Sequence, residues 1–351
     1  MNVNQRVRYA VVGLGHIAQA AVLPAFAHAT DNSELRALVS GDPSKLERLS
    51  KTYHVPRTFS YGQYEECLHS GEVDAVYIAL PNGMHCEYSV AAARAGIHVL
   101  CEKPMAVTEA DCERMLCEAR QRQVRLMIAN RLHFATPHRE AVKIVTSGQL
   151  GIPRIFSSVL TFQVKEGDVR LDQALGGAGP LYDIGVYCIS AARHLFGEEP
   201  IEVYACDASS DDRRFAEVED TTSAILRFQQ GRIATLTCSF GAARESFYEV
   251  VGSKAILRAD SAYDRSRAAT HYLTSDGQTK ERTFPQQDQF AEMIIEFSDR
   301  VLSGRDHPRA CGEDGLADVR IIEALLRSAQ TGQPVKLGPL AHARGSEKVS
   351  V

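Results

Sequence analysis

The run YAVVGLGHIAQ sets Gly13, Gly15 and Ala18 between an apolar stretch and a segment of helical period. There Gly13 permits a tight turn, Gly15 lets the backbone approach a charged group, and Ala18 lets a helix pack on the strand before it. The group so approached is a pyrophosphate, held at the helix start by Gly13, Gly15, His16 and Ile17. An acid about 20 residues on would bind the ribose hydroxyls of NAD, but the next apolar stretch, ELRALVS, ends at Ser40. A hydroxyl does not repel the extra phosphate of NADP, and Lys45 reaches that phosphate as a point charge, so NADP is expected, with NAD as the second possibility. Asp42 would oppose this if it turned inward; ahead of Pro43 it is expected to cap a helix instead. A second candidate pair, Asp183 and Tyr187, stands four apart in a helical run whose apolar residues are Leu181, Ile184, Val186, Ile189 and Ala192. Both therefore project from one face. The spacing suits a carboxylate and a phenol acting on one substrate, and it suits equally a structural aspartate beside a half-buried tyrosine.

These residues need elements to hold them. From Val7 to about Asn130, short apolar runs (VRYAVV, ELRALVS, VDAVYIAL, HVLCEK, VRLMIAN) alternate with helical segments. Strands apolar on both sides, such as VDAVYIAL, belong in a parallel sheet covered on both faces, whose strand ends share the rim where a ligand sits. Pro24 is expected to break or kink the first helix early. After about Gly148 the strands are longer and alternating (RIFSSVLTFQV, TTSAILRF, RIATLTCSF, FYEVVG, AILRAD), joined by turns such as QQGR, GSK and SDGQ. One helix interrupts them, about Leu181 to Phe196, and two more close the chain, near Asp288 to Leu302 and Asp314 to Ala329. The fold class is an α/β Rossmann domain (residues 1–130), then an α+β domain with a large, mainly antiparallel sheet (residues 131–337), then a tail (residues 338–351).

With 351 residues, 24% of them charged, and a net charge of -5, the chain has no broad basic field for nucleic acid or anionic membrane, and a small-molecule partner is expected. None of the nine cysteines is spaced as C-x-x-C, so neither a disulfide framework nor a metal site is indicated. The polar stub before the first strand has no export signal, and no apolar run nears the roughly 20 residues of a membrane span; a cytoplasmic location is expected.

Taken in order, Gly13-x-Gly15-x-x-Ala18, Pro81-Asn82-x-x-His85, Cys101-Glu102-Lys103-Pro104, Gly176-Gly177 and Asp183-x-x-x-Tyr187 resemble the glucose-fructose oxidoreductase, inositol dehydrogenase and MocA family. The resemblance runs from about Val7 to Leu337. It implies a site between the two domains, with Lys103 contacting substrate and nicotinamide, Glu102 holding Lys103, and Pro104 often cis. It implies that Pro81, Asn82 and His85 lie near the nicotinamide ribose, although His85 by itself reads equally as a helix-start residue. Many members carry His where this chain has Tyr187, so the chain sides with the tyrosine branch, which includes glucose-fructose oxidoreductase, dihydrodiol dehydrogenase and D-xylose dehydrogenase. The family's usual Tyr-Arg after the sixth strand is Asn130-Arg131 here, which leaves Arg131, His133 and Arg170 as candidate substrate contacts.

The implied activity is hydride transfer between the nicotinamide and a sugar, polyol or related cyclic hydroxyl or carbonyl substrate. Oxidising an alcohol also releases a proton, which needs an acceptor within hydrogen-bond reach. Tyr187 is expected to exchange it, with Lys103 positioning the hydroxyl and itself depressed by its cationic neighbours, or the two in exchanged roles, and Asp183 orienting substrate or lysine. Two other readings stand beside this one: a trans-dihydrodiol dehydrogenase, and a non-catalytic NADP-sensing regulator, which would not need the proton-exchanging residues. A large sheet with one helix-free face points to a homodimer or homotetramer.

Overall fold

Six strands, β1 (Val7–Val12), β2 (Ser33–Val39), β3 (Arg57–Phe59), β4 (Ala75–Ile78), β5 (His98–Glu102) and β6 (Leu126–Ala129), form a parallel sheet in the order β3-β2-β1-β4-β5-β6. The structure is a computed structural model and describes residues 5–305 and 310–339; from residue 340 onward the expected tail lies outside the described residues. β4 is buried at every position, as a central strand covered on both faces must be. The order reverses between β1 and β4, and at such a switch point the carboxyl ends of the strands open a crevice. Around the sheet lie α1 (Leu23–Ala25), α2 (Pro43–Tyr53), α3 (Tyr64–Leu68), α4 (His85–Arg94) and α5 (Glu109–Gln121). The kink expected at Pro24 takes the form of a change of pitch. A π turn over Ala18–Val22 runs into α1 and then into a 3-10 turn over Phe26–His28, which accommodates the carbonyl that Pro24, lacking an N–H, cannot engage.

The second half opens with α6 (Thr136–Thr146) and β7 (Pro153–Thr161), continues through α7 (Val186–Phe196), and then runs through β8 (Glu202–Ala208), β9 (Thr221–Arg227), β10 (Ile233–Ser239), β11 (Glu245–Gly252), β12 (Ala255–Asp260), β13 (Thr270–Ser275) and β14 (Gln278–Thr283). With a short β15 (Val335–Lys336) they make a nine-stranded sheet, antiparallel throughout except where β10 pairs with β7. Alternation sends Phe156 and Leu160 of β7 inward to a core shared with Ile189 and Leu195 of α7, and leaves Ile155 outside. The helix expected from Leu181 opens with a π turn, Leu181–Gly185, before becoming α7.

Two C-terminal helices, α8 (Gln289–Ser303) and α9 (Gly312–Thr331), tie the halves together. Phe290, Met293, Ile294 and Phe297 of α8 pack with Tyr9 and Leu38 of the first sheet, so a helix late in the chain covers the earliest strands. On α9, Leu316 and Val319 belong to the core around Ile128, whereas Ile321, Ile322 and Leu325 belong to the core of the second sheet. Among the described residues no helix is long and apolar enough to cross a membrane.

Candidate active site

At the end of β1 the chain turns through Gly13 at φ +92°, a conformation only glycine adopts freely, and a Cβ there would collide with the Ala79 carbonyl at the end of β4. Gly15 is the opposite case: nothing lies within 4 Å of where its Cβ would be, so the backbone stands open to an approaching group. These two glycines, Ser40, Lys45 and Pro81 line one cleft, with exposed His16 and half-buried Ile17 starting the helix beside it. Oriented N–H groups at a helix start fit a pyrophosphate. Asp42 caps α2: its Oδ1 accepts from the Lys45 N–H at 3.0 Å, and that bond holds the carboxyl below its usual pKa. Its Oδ2 stands 3.5 Å from Lys45 Nζ, and Ser40 Oγ accepts from the Asp42 N–H at 3.2 Å.

Asn82 donates to the Gly177 carbonyl at 2.8 Å, pinning the turn after β4 to the glycine loop of the second half. His85 is fully buried, with Nδ1 2.9 Å from the Pro104 carbonyl and Nε2 2.9 Å from the Leu80 carbonyl. Its ring therefore ties the Pro81 turn to the loop carrying Lys103, and burial lowers its pKa against the opposing pull of the two carbonyls.

The Lys103–Pro104 bond is cis. Lys103 Nζ donates to the Asp183 carbonyl at 2.6 Å and to Asp183 Oδ1 at 2.8 Å. Arg170 Nε donates to the other carboxylate oxygen of Asp183 at 2.7 Å, and Arg170 Nη1 is held by Asp168 at 3.1 Å. Burial opposes ionisation of Asp183, but the two cations outweigh it and bring its pKa down to about 2. Burial likewise opposes the Lys103 ammonium, and Asp183, with Tyr187 and Glu102 adding, outweighs that and lifts its pKa above the usual lysine value. This corrects the expectation of a depressed lysine: the Asp183 carboxylate, 2.8 Å from the amine, more than offsets its burial. Glu102 grips the backbone and not the amine, accepting from the Tyr77 hydroxyl at 2.8 Å and from the Lys103 N–H at 3.2 Å; burial raises its pKa.

Tyr187 lies between two cations. Lys103 Nζ and the Arg131 guanidinium carbon each stand 4.9 Å from its ring centroid. Arg131 is buried, its Nη1 donating to Gln289 Oε1 at 2.9 Å and its Nη2 to the Tyr263 carbonyl at 2.5 Å, so the fork expected to grip substrate is already engaged. His133 is not brought to this cluster. Its ring packs edge-on against His194, 4.3 Å between centroids, further along α7.

A family model described as an oxidoreductase family with an NAD-binding Rossmann fold matches residues 7–130, and a GFO/IDH/MocA C-terminal domain model matches residues 138–258. The chain belongs to the GFO/IDH/MocA oxidoreductase family. It is 32% identical to a D-xylose 1-dehydrogenase (NADP(+)) of Haloferax volcanii over 94% of this chain and 99% of that protein. It is 31% identical to a dTDP-3,4-didehydro-2,6-dideoxy-α-D-glucose 3-reductase of Saccharopolyspora spinosa over 93% and 98%. Among solved structures, the aldose-aldose oxidoreductase of Caulobacter crescentus, complexed with glycerol, superposes with a TM-score of 0.90 at 37% identity, covering 95% of this chain and all of that one.

Within this GFO/IDH/MocA oxidoreductase, the sequence reading gave no role to three residues of these two regions. Tyr61 lines the dinucleotide cleft, its ring 3.1 Å from where a Gly41 Cβ would sit and edge-on to Tyr88; no motif surrounds it. Asp168, two residues before Arg170, could have been taken from that spacing as its clamp. Asn130, where the family commonly has Tyr, donates to Ser190 Oγ at 3.0 Å and so braces α7 one turn beyond Tyr187.

Proposed function

We propose that this enzyme transfers a hydride between NADP and a hydroxyl or carbonyl carbon of an aldose or closely related sugar. The observation that carries the reading is the Lys103–Asp183–Arg170 network with the Tyr187 ring held between Lys103 and Arg131. When bound, NADP supplies the group that accepts or gives the hydride. Gly13, Gly15, His16 and Ile17 would hold its pyrophosphate, Ser40 and Lys45 its 2′-phosphate, and the Pro81–Asn82 turn, fixed from behind by His85, would flank the nicotinamide ribose. The employment of Asp42 as a helix cap supports NADP over NAD, as do the NADP-dependent relatives.

Tyr187 exchanges the proton at the substrate oxygen, and Lys103 orients that oxygen. Asp183 fixes the Lys103 amine through two bonds, so the amine stays beside the ring while the proton moves. Arg131, unable to reach out, keeps positive charge against the ring and favours negative charge on the phenol as the proton leaves. Arg170 is one-third exposed and is the side chain of this network best placed to meet substrate hydroxyls. The exposed Ile155, Ile225, Ile233 and Ile256 on the outer face of the second sheet support pairing of two copies.

The test is a spectrophotometric screen of aldoses, polyols, cyclic diols and a nucleotide-linked keto sugar with each nicotinamide cofactor. Reduced nicotinamide should appear with an aldose and NADP. Tight NADP binding with no turnover of any substrate would overturn the reading and favour a sensor.

A further inference from the structure

About two turns beyond Tyr187 on α7, a second group of ionisable side chains gathers that hydride transfer does not use. His133 from the 3-10 turn after β6, His194 from α7 and Asp314 from the first turn of α9 each present a donor atom, all within 4.8 Å of one another. His194 Nδ1 lies 2.6 Å from the Ser190 carbonyl, an oxygen that can only accept. In the neutral ring the proton therefore sits on Nδ1, and Nε2, 3.9 Å from Asp314 Oδ1, turns its lone pair into the group. A ring whose tautomer is fixed by a backbone carbonyl is the arrangement that metal-binding histidines use.

One independent observation points to a cation. His138 on α6 is 3% exposed, its ring 6.4 Å from that of His194, and neither of its nitrogens has a partner among the described residues. Buried polar atoms are nearly always bonded, so two orphaned nitrogens beside a donor cluster call for something the polypeptide does not supply.

We propose that His133, His194 and Asp314, with His138 as fourth donor, bind a divalent transition cation of the zinc class. Neutral imidazoles with one carboxylate are ligands this class accepts. Donors bound to zinc at about 2.0–2.1 Å lie about 3.4 Å apart, so side-chain rotations moving the donor atoms of His133, His194 and Asp314 by about 1 Å close their present span, and a turn of the His138 ring would bring in the fourth. No position is left for substrate, which makes the site structural: it fastens the turn carrying Arg131, the helix carrying Tyr187 and the start of α9 to one point. The donors come from four separate elements, so no local spacing marks them in the sequence.

The test uses the full chain stripped with EDTA and titrated with Co2+ alone, read by visible absorption, then with Zn2+ by calorimetry. One ion per chain is expected, with Co2+ bands that Zn2+ displaces and a Tm raised by at least about 3 °C. His133→Gln and His194→Gln should each abolish the bands, whereas His69→Gln, at an exposed position, should keep them. The wild-type titration decides the matter even if a variant fails to fold: absence of stoichiometric binding overturns the site. Bands that survive in the His133→Gln/His194→Gln double variant overturn it too, because the ion is then held elsewhere.

Discussion

Where β1 and β2 end, the chain lines its cleft with backbone and short side chains: Gly13, Gly15 and Ser40, with Lys45 half-exposed behind them. Around Lys103 it does the opposite, drawing charges from just past β5, from the loop holding Arg170, from the π turn that leads into α7 and from the turn after β6. In the cleft each contact stands nearly alone and its loss should add to others. In the cluster each charge is compensated by the next, so removing one member leaves its partners buried without a counter-charge, and losses should not add.

The sharpest way to break that contrast is to remove Tyr187 and Lys103, the pair proposed to act at the substrate oxygen. Tyr187→Phe and Lys103→Met should each lower kcat by about 100- to 10,000-fold while NADP affinity changes little. The double variant should lose far less than the product of the two, because the residues act as one unit. Steady-state rates on the best substrate, with fluorescence titration of NADP, read both effects. Near wild-type turnover in both single variants would remove the catalytic cluster from the account.

In the cleft the matching experiment is Ser40→Asp. A charge-assisted bond to the 2′-phosphate is worth about 1.5–3 kcal/mol, so NADP should bind about 10- to 150-fold more weakly and NAD about as before. Equal or tighter binding of NAD by the wild type would instead make Asp42 a ribose ligand.

The two regions also differ in how far they could be read from the sequence. Gly13, Gly15 and Ala18 lie within six residues and Ser40 follows the next strand, so local spacing shows most of the proposed phosphate site and misses Tyr61. Asp183 and Tyr187 were visible as one helix face, but what surrounds them was not. Arg131 turns from substrate to the Tyr187 ring because Gln289 of α8 and the Tyr263 carbonyl hold its guanidinium, and both lie more than a hundred residues away in the chain. His133 follows His194 for the same reason, a contact made only once α7 has docked. In the fold, β14 is exposed at every position and offers no alternation to read; only the SDGQ turn betrays the hairpin. Nothing local tells α8 to cover β1 and β2.

Acid titration sharpens the comparison further. Asp183 is held at about 2, below the ordinary carboxyl value, so its pairing stabilises the fold fully above about pH 4 and is lost as pH falls through 2. Lys103 is lifted, so its contribution holds below the ordinary lysine value and is lost only at higher, strongly alkaline pH. The stability difference between wild type and Asp183→Asn should therefore be roughly 2 kcal/mol or more and flat between about pH 5 and 9, shrinking toward pH 2. A difference that changes steadily across neutral pH, in denaturant titrations, would show that the pair is not ionised as described.

The smallest effect asks whether Asp42 serves the fold or the ligand. Asn caps a helix as well as Asp does, so Asp42→Asn should keep the bond to the Lys45 N–H and leave the Tm unchanged, whereas Asp42→Ala should lower it. The carboxylate also draws on Lys45 Nζ across 3.5 Å at a largely solvated site, where such pairs are worth little. Freed from it, Lys45 can turn to the 2′-phosphate, and Asp42→Asn should bind NADP a few-fold more tightly with NAD unaltered. A ribose ligand would give the reverse, NAD binding weakened by the loss of its charged acceptor, and titrating both cofactors into this one variant separates the two roles.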